Sequence, residues 1–307
     1  MTLPHVVEPG GRGGESLDEA AIAARGQLTR HGALLFRGWG VEDLETFQRF
    51  VAAFSDGAAP FGYAGGASPR HRLSEAGAVY SSTEYPPEMI LSLHNELSYA
   101  DVWPTTLYFF CLVPAARGGA TSIADSRRIL AALDPALVAE FRRRRLRYIR
   151  NLSPVQGSGY SWQEAFETSD PREAERGCER IGADHEWLGD GVLRISQVRE
   201  ATARHPGTGE EVWFNQADGF HPSALAPELY EAALAEVGSE DRFRLNVTYG
   251  DGEPIEREAL EHIRAVLSAQ TIPHGWQEGD MLVLDNMLTA HGRLPFEGPR
   301  KIALAMT

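Results

Sequence analysis

The sequence predicts a mainly β fold, a sandwich or jelly roll carrying helical decoration. Three observations carry that reading. Short apolar runs rich in β-branched and aromatic residues recur along the chain, bounded by turn residues. Amphipathic helical patterns fall early and between those runs, without strict alternation. No glycine-rich phosphate loop opens a helix, which lowers the weight of a doubly wound nucleotide-binding fold.

Residues 15–30 read as a helix, with Leu17, Ala20, Ala21, Ala24 and Leu28 at helical spacing, and Gly32 ends it. Residues 33–37 form a short buried strand. Residues 41–54 form a second helix, with Leu44, Phe47, Phe50, Val51 and Phe54 on one stripe. Glu42 and Asp43 sit in its first turn, where acids suit the helix dipole. Residues 57–68, rich in Gly, Ala and Pro, read as a loop. Strand-like runs follow at 89–94 and 105–113, then the Gly118-Gly119 turn and a strand at 120–124. Asp125 caps one helix, and Asp134-Pro135 starts another. The second ends in Arg142 to Arg145, a basic run that reads as a solvated face rather than a dock for an acidic partner. From 150 to about 190 the chain reads as loop. Short strands at 192–195 and 211–215 and helices at 227–237 and 254–269 come next. A Gly279-Asp280 turn, a 281–284 strand, a loop and a 301–306 strand close the chain.

The 307 residues suit one large domain or two small ones. No repeat or linker divides them, so 1–307 reads as a single domain. At 43% hydrophobic and 23% charged, the composition is globular rather than disordered. Acids outnumber bases 43 to 29, a net charge of −14 that excludes a general nucleic-acid binder. Cys111 and Cys178 form neither a disulfide framework nor a metal-binding pair and read as reduced, inert thiols. The longest apolar run, about ten residues around 107–116, is broken by Pro114 and is too short to span a bilayer. The polar start, with Gly10, Gly11, Gly13 and Gly14, lacks the core of a signal peptide. A cytoplasmic protein with no membrane partner is expected.

Among ten histidines, His94 stands out for its company. His94 and Glu96 form an H-x-E at the end of a strand-like run, and residues two apart on a strand share a face. His291 follows the 281–284 strand. Two histidines and one carboxylate make the facial triad that leaves open positions on non-haem Fe(II). The H-x-E pair alone is common. His221, before Pro222, reads as a turn residue. His185 and Glu186 are adjacent and would face opposite ways on a strand.

The segments Leu93-His94-Asn95-Glu96-Leu97-Ser98-Tyr99, Gly118-Gly119-Ala120-Thr121, Asp285-Asn286-Met287 and His291-Gly292-Arg293 together resemble the taurine dioxygenase (TauD/TfdA) family. The likeness runs from about Ala33 to Met306, with the branch named for the syringomycin-biosynthesis protein SyrP the nearest in pattern. It implies a double-stranded β-helix, a cupin-like jelly roll, and an oxygenase that uses Fe(II), 2-oxoglutarate and dioxygen. His94, Glu96 and His291 match the family's iron ligands. Thr121 matches the threonine that helps hold the 2-oxoglutarate carboxylate. Arg300 is the candidate for the arginine on the far carboxylate, a role suited to a guanidinium fork, with adjacent Lys301 as the alternative.

Two departures bear on chemistry. Most members carry Asp where this chain has Glu96, although clavaminate synthase also uses Glu. Related halogenases lose this carboxylate to admit chloride, so Glu96 speaks against halogenation. Taurine dioxygenase carries a further arginine for the sulfonate in the terminal strand, which residues 302–306 lack, so taurine is not the expected substrate. Asn95, Tyr99, Trp213 and Asn215 are candidate substrate contacts, with Glu84 a weaker one. The implied substrate is an amino acid or amino-acyl group in specialised metabolism, free or on a carrier protein. Hydrogen abstraction would lead to hydroxylation, desaturation or cyclisation. Two other readings stay open, a non-catalytic cupin-type binding protein and a hydrolase or isomerase using another divalent metal.

Overall fold

The protein is described from a computed structural model over residues 3–10, 16–62, 71–74, 78–82, 85–157 and 160–307. Glu84, Gly11, Gly13, Gly14 and residues 63–68 of the loop expected at 57–68 lie outside these residues.

Two sheets form a jelly roll. The larger has seven strands in the order His5–Val7, Ala33–Phe36, Met281–Asp285, Thr106–Val113, Lys301–Met306, Val79–Ser81 and Arg72–Ser74. Its central strands are apolar at almost every position because both faces are covered. Leu34, Phe36, Tyr108, Phe110, Met281 and Val283 point outward into one core layer. That layer lies beneath helices Leu17–His31 and Leu44–Ser55. The alternate residues Leu35, Leu107, Phe109, Leu282, Leu284 and Leu304 point inward, with Ile123 and Ile272 of the second sheet.

The second sheet runs Ile272–His274, Thr121–Asp125, Thr289–Arg293 and Leu91–His94, all antiparallel. The first two helices start where their caps dictate. Ser16 and Glu19 form a reciprocal capping box, and Asp43 accepts from the Thr46 N–H. Asp125 and Asp134 likewise cap the helices Ser126–Ala132 and Pro135–Arg144.

The segment expected as loop is ordered instead. Strands Asp184–Trp187, Leu193–Arg199, Leu146–Leu152 and Leu245–Tyr249 form a third sheet, flanked by helix Pro171–Arg180. Its polar interior hides the pattern. Arg150 is fully buried, donating to Gln197 and lying over the Tyr99 ring. Helix Pro171–Arg180 buries only Ala174, Gly177 and Cys178, and a Cβ at Gly177 would strike the Phe166 ring at 2.4 Å. No large apolar stripe therefore marks it.

The arginine run finds its acids within the chain: Arg142 on Glu211, Arg143 on Glu140 and Arg144 on Asp251. Cys111 and Cys178 are free and buried, and burial pushes their thiols up to about 12 and about 11. They are poor nucleophiles. No helix among the described residues is long and apolar enough to cross a membrane.

Candidate metal centre

His291 does not sit in a loop, as its sequence context implies, but on the strand Thr289–Arg293, directly opposite His94 across the ladder. The two rings lie 4.3 Å apart between centroids. Gly292 makes this approach possible, since a Cβ there would fall 2.3 Å from the Leu91 carbonyl oxygen. Glu96 lies just past the strand end, and its Oε2 is 3.9 Å from His291 Nε2. One ligand atom from each of His94, Glu96 and His291 lies within 4.8 Å of the others. His94 Nδ1 donates to the Ser92 carbonyl at 2.9 Å. A carbonyl only accepts, so the proton is on Nδ1 and Nε2 keeps its lone pair for a metal.

The backbone of Glu96 is clamped by Asn286, which is fully buried. Asn286 Oδ1 accepts the Glu96 N–H at 2.7 Å, while Nδ2 donates to the Glu96 carbonyl at 3.0 Å and the Pro104 carbonyl at 2.8 Å. Leu97 follows in the left-handed region at φ 54°, turning the chain away. Asp285 stiffens the same hairpin. It accepts from the Met287 and Leu288 N–H groups and pairs with His205 at 3.0 Å.

A narrow cleft opens beside His291, lined by Thr121, Phe109, Arg293, Arg300 and Ile302. Arg300 donates to the Gly119 carbonyl at 3.1 Å. Gly118 and Gly119 both have positive φ, and a Cβ on Gly118 would lie 2.3 Å from the Pro295 oxygen. No carboxylate pairs with Arg300 among the described residues. Burial, then the charge of Arg293, pushes the Arg300 guanidinium down to about 10, still cationic at neutral pH. A half-buried cation without an acid partner gains from an anion that joins it. Lys301, in contrast, is exposed. Thr121 is buried, and its Oγ1 accepts from Trp276 Nε1 at 2.9 Å. The Thr121 hydroxyl proton is thereby left for an acceptor in the cleft.

On the other side, a cavity of about 620 Å³ reaches His94 and Glu96, with Tyr99, Gln216, Phe220 and His221 in its walls. Three of the residues expected to touch substrate do not belong to it. Asn95, Trp213 and Asn215 line a separate interior void of about 10 Å³, with room for one water at most. Asn95 faces away from its neighbours His94 and Glu96 and donates to the Asn286 carbonyl at 2.6 Å. Asn215 caps the turn after it, accepting the Ala217 N–H at 3.0 Å. Trp213 packs on Phe141. In this structure the three side chains are occupied by a backbone carbonyl, a local cap and ring packing outside the large cavity.

A family model described as taurine catabolism dioxygenase TauD, TfdA family matches residues 5–307. The chain belongs to this family. It is a 2-oxoglutarate-dependent, iron-dependent dioxygenase. Dapdiamide synthesis protein DdaC of Enterobacter agglomerans is 40% identical over 279 residues, covering 91% of this chain and 83% of that protein. A clavaminate synthase-like protein of Arabidopsis thaliana is 29% identical over 290 residues, 91% of this chain and 82% of that one. Among solved structures, PvcB of Pseudomonas aeruginosa superposes with TM-score 0.55 at 17% identity, over 98% of this chain and 84% of its own. Asparagine oxygenase superposes with TM-score 0.53 at 15% identity, over 95% and 78%. These two likenesses establish the jelly-roll fold. Sequence reasoning passed over the Asn286 clamp, the Trp276 bond to Thr121 and the position of His221. Asn286 lies in a quoted motif, but its partner Glu96 is 190 residues away.

Proposed function

We propose that His94, Glu96 and His291 hold the iron, and that Thr121 and Arg300 hold the far carboxylate of 2-oxoglutarate. The cavity of about 620 Å³ then receives an amino acid or amino-acyl substrate. The observation that carries the reading is three donor atoms within 4.8 Å of one another, between an anion-seeking cleft and a substrate-sized cavity. The residues fit the metal, since one carboxylate and two imidazoles leave part of an octahedral shell open. Bound iron supplies dioxygen activation coupled to 2-oxoglutarate decarboxylation.

The protein's own work is placement. Asn286 fixes where the Glu96 carboxylate starts. The Ser92 carbonyl fixes the tautomer of His94. Arg300 and Thr121 set the cosubstrate's direction from the cleft. The apolar wall of Phe109 and Ile302 dries that cleft and strengthens the charge pairing. Glu96 fills the position a halide would need, which favours hydroxylation, desaturation or cyclisation. DdaC is named for dapdiamide synthesis and PvcB is described as an oxygenase from an isonitrile synthetic pathway. These names support a role in specialised metabolism, with the substrate free or on a carrier protein. The match over 5–307 supports one catalytic domain across the chain. A cytoplasmic location fits the reduced thiols.

Anaerobic titration with Fe(II) and 2-oxoglutarate tests the centre. A weak visible charge-transfer band is expected in the wild type and absent in His94→Ala and His291→Ala. A band of full intensity in either variant overturns the assignment.

A further inference from the structure

The substrate cavity carries two polar side chains whose hydrogen-bonding direction is already decided by their other partners. His221 is buried and caps the short turn Pro222–Ala224. Its Nδ1 accepts from the Ser223 N–H at 3.1 Å and lies 2.8 Å from Ser223 Oγ. That hydroxyl oxygen accepts from Arg264, which Asp218 holds in turn. An amide N–H can only donate, so His221 Nδ1 is an acceptor and the ring proton sits on Nε2. Among the described residues Nε2 meets no protein partner, and His221 lines the cavity. Burial lowers the imidazole to about 4, so the ring stays neutral near pH 7.

Gln216 stands five residues earlier, across the single turn Ala217–Phe220. Its Nε2 donates to the Asn95 carbonyl at 2.8 Å, and its backbone N–H donates to the Tyr148 hydroxyl at 2.9 Å. The Asn95 bond fixes which end of the side-chain amide is nitrogen. Oε1 is left as an acceptor without a protein partner among the described residues. Tyr99, Phe220 and Tyr148 pack around the segment with ring centroids 4.9–6.1 Å apart, so the pair is held by rigid rings.

We infer that His221 and Gln216 recognise an amide group on the substrate, His221 Nε2–H donating to its carbonyl and Gln216 Oε1 accepting its N–H. This rests on the reading of the cavity as the substrate's. A carboxylate would satisfy the histidine but meet the glutamine oxygen with like polarity. An ester has no proton for Gln216, and an ammonium has no acceptor for His221. Of these groups only an amide answers both, presenting its acceptor and its donor on two different atoms. Such a group can come from a small amidated amino acid or from the pantetheine arm of a carrier protein.

Saturation-transfer NMR tests this without iron, using asparagine, aspartate, aspartate β-methyl ester and pantetheine as probes. Asparagine should bind about tenfold or more tightly than its two isosteres, or pantetheine should bind in their place, which identifies the source of the amide. His221→Phe and Gln216→Leu, each checked for fold by circular dichroism, should each erase that preference. Equal binding of the three isosteres together with pantetheine binding unaffected by either variant overturns the inference, as does no binding by any amide. The iron–2-oxoglutarate band on the same samples separates the two readings. Amide preference without a band sinks the metal assignment alone, and a band without amide preference sinks the inference alone.

Discussion

Replacing Asn286 with alanine removes the side chain that ties the Glu96 backbone to the Asp285–Met287 turn. Three hydrogen bonds go with it: one from the Glu96 N–H and two to the carbonyls of Glu96 and Pro104. Asn286 has no exposed surface, so solvent does not take over these groups directly. A buried polar group left without a partner costs about 1–3 kcal/mol, which puts the sum over three groups at roughly 3–9 kcal/mol. One water entering the vacated space would recover part of this, so a loss of about 4 kcal/mol is expected. Urea unfolding measures it through a shift of the midpoint at constant slope. The second expectation separates positioning from stability. At a temperature where circular dichroism shows the variant folded, Fe(II) affinity should fall by about tenfold or more, because Glu96 loses its fixed origin. A stability loss below about 1 kcal/mol, or a destabilised variant that binds iron like the wild type, would refute the reasoning.

Four further outcomes follow from the same structure. Arg300→Ala should raise the 2-oxoglutarate requirement more than about tenfold while Lys301→Ala leaves it unchanged, since only Arg300 lines the cleft; kinetics at varied cosubstrate check this. Arg145 is exposed and holds φ 59° and ψ −174°, a region suited to glycine, so Arg145→Gly should stabilise the fold by about 1 kcal/mol in the same unfolding assay. His221 and His274 are both lowered by burial from 6.5 to about 4, so the unfolded chain takes up protons first as the medium acidifies. Stability should therefore be full above about pH 6.5 and fall toward pH 4, each histidine accounting for roughly 2 kcal/mol at pH 5, and His274→Phe should flatten the slope between pH 7 and pH 5. With its true substrate and excess chloride, the enzyme should give a product without the chlorine isotope pattern in mass spectra, and Glu96→Ala should lose most turnover.

The strands 33–36, 106–113, 281–285 and 301–306 were legible because each is apolar on both faces, and burial between a helical layer and a second sheet demands that. The early helices were legible through the helical spacing of their apolar residues, and Gly32 marked the end of the first. The sheet that begins at Leu146 was not, because Arg150, Asn151 and Gln197 find polar partners inside it and no apolar period results. At the centre, the H-x-E spacing named the right pair, but Glu96 comes to His94 from the turn just past the strand end, where Asn95 is turned to the Asn286 carbonyl.

The sequence by itself determined the chemistry available: two imidazoles and a carboxylate, a threonine after a glycine turn, and an arginine near the end. Those are properties of residue types and short spacings. Only the tertiary structure decided the distances. It set His291 opposite His94 across a strand pair that Gly292 allows to close, and left Arg300 half-buried with no acid partner among the described residues. It aimed Trp276 at Thr121, freeing the threonine proton for the cleft. It also closed Asn286 onto Glu96 from 190 residues away and fixed the polarity of His221 and Gln216 through their far-side partners. Local pattern carries which atoms a chain offers. Which lone pairs and protons remain unused depends on partners distant in sequence, and those are assigned only when the sheets close.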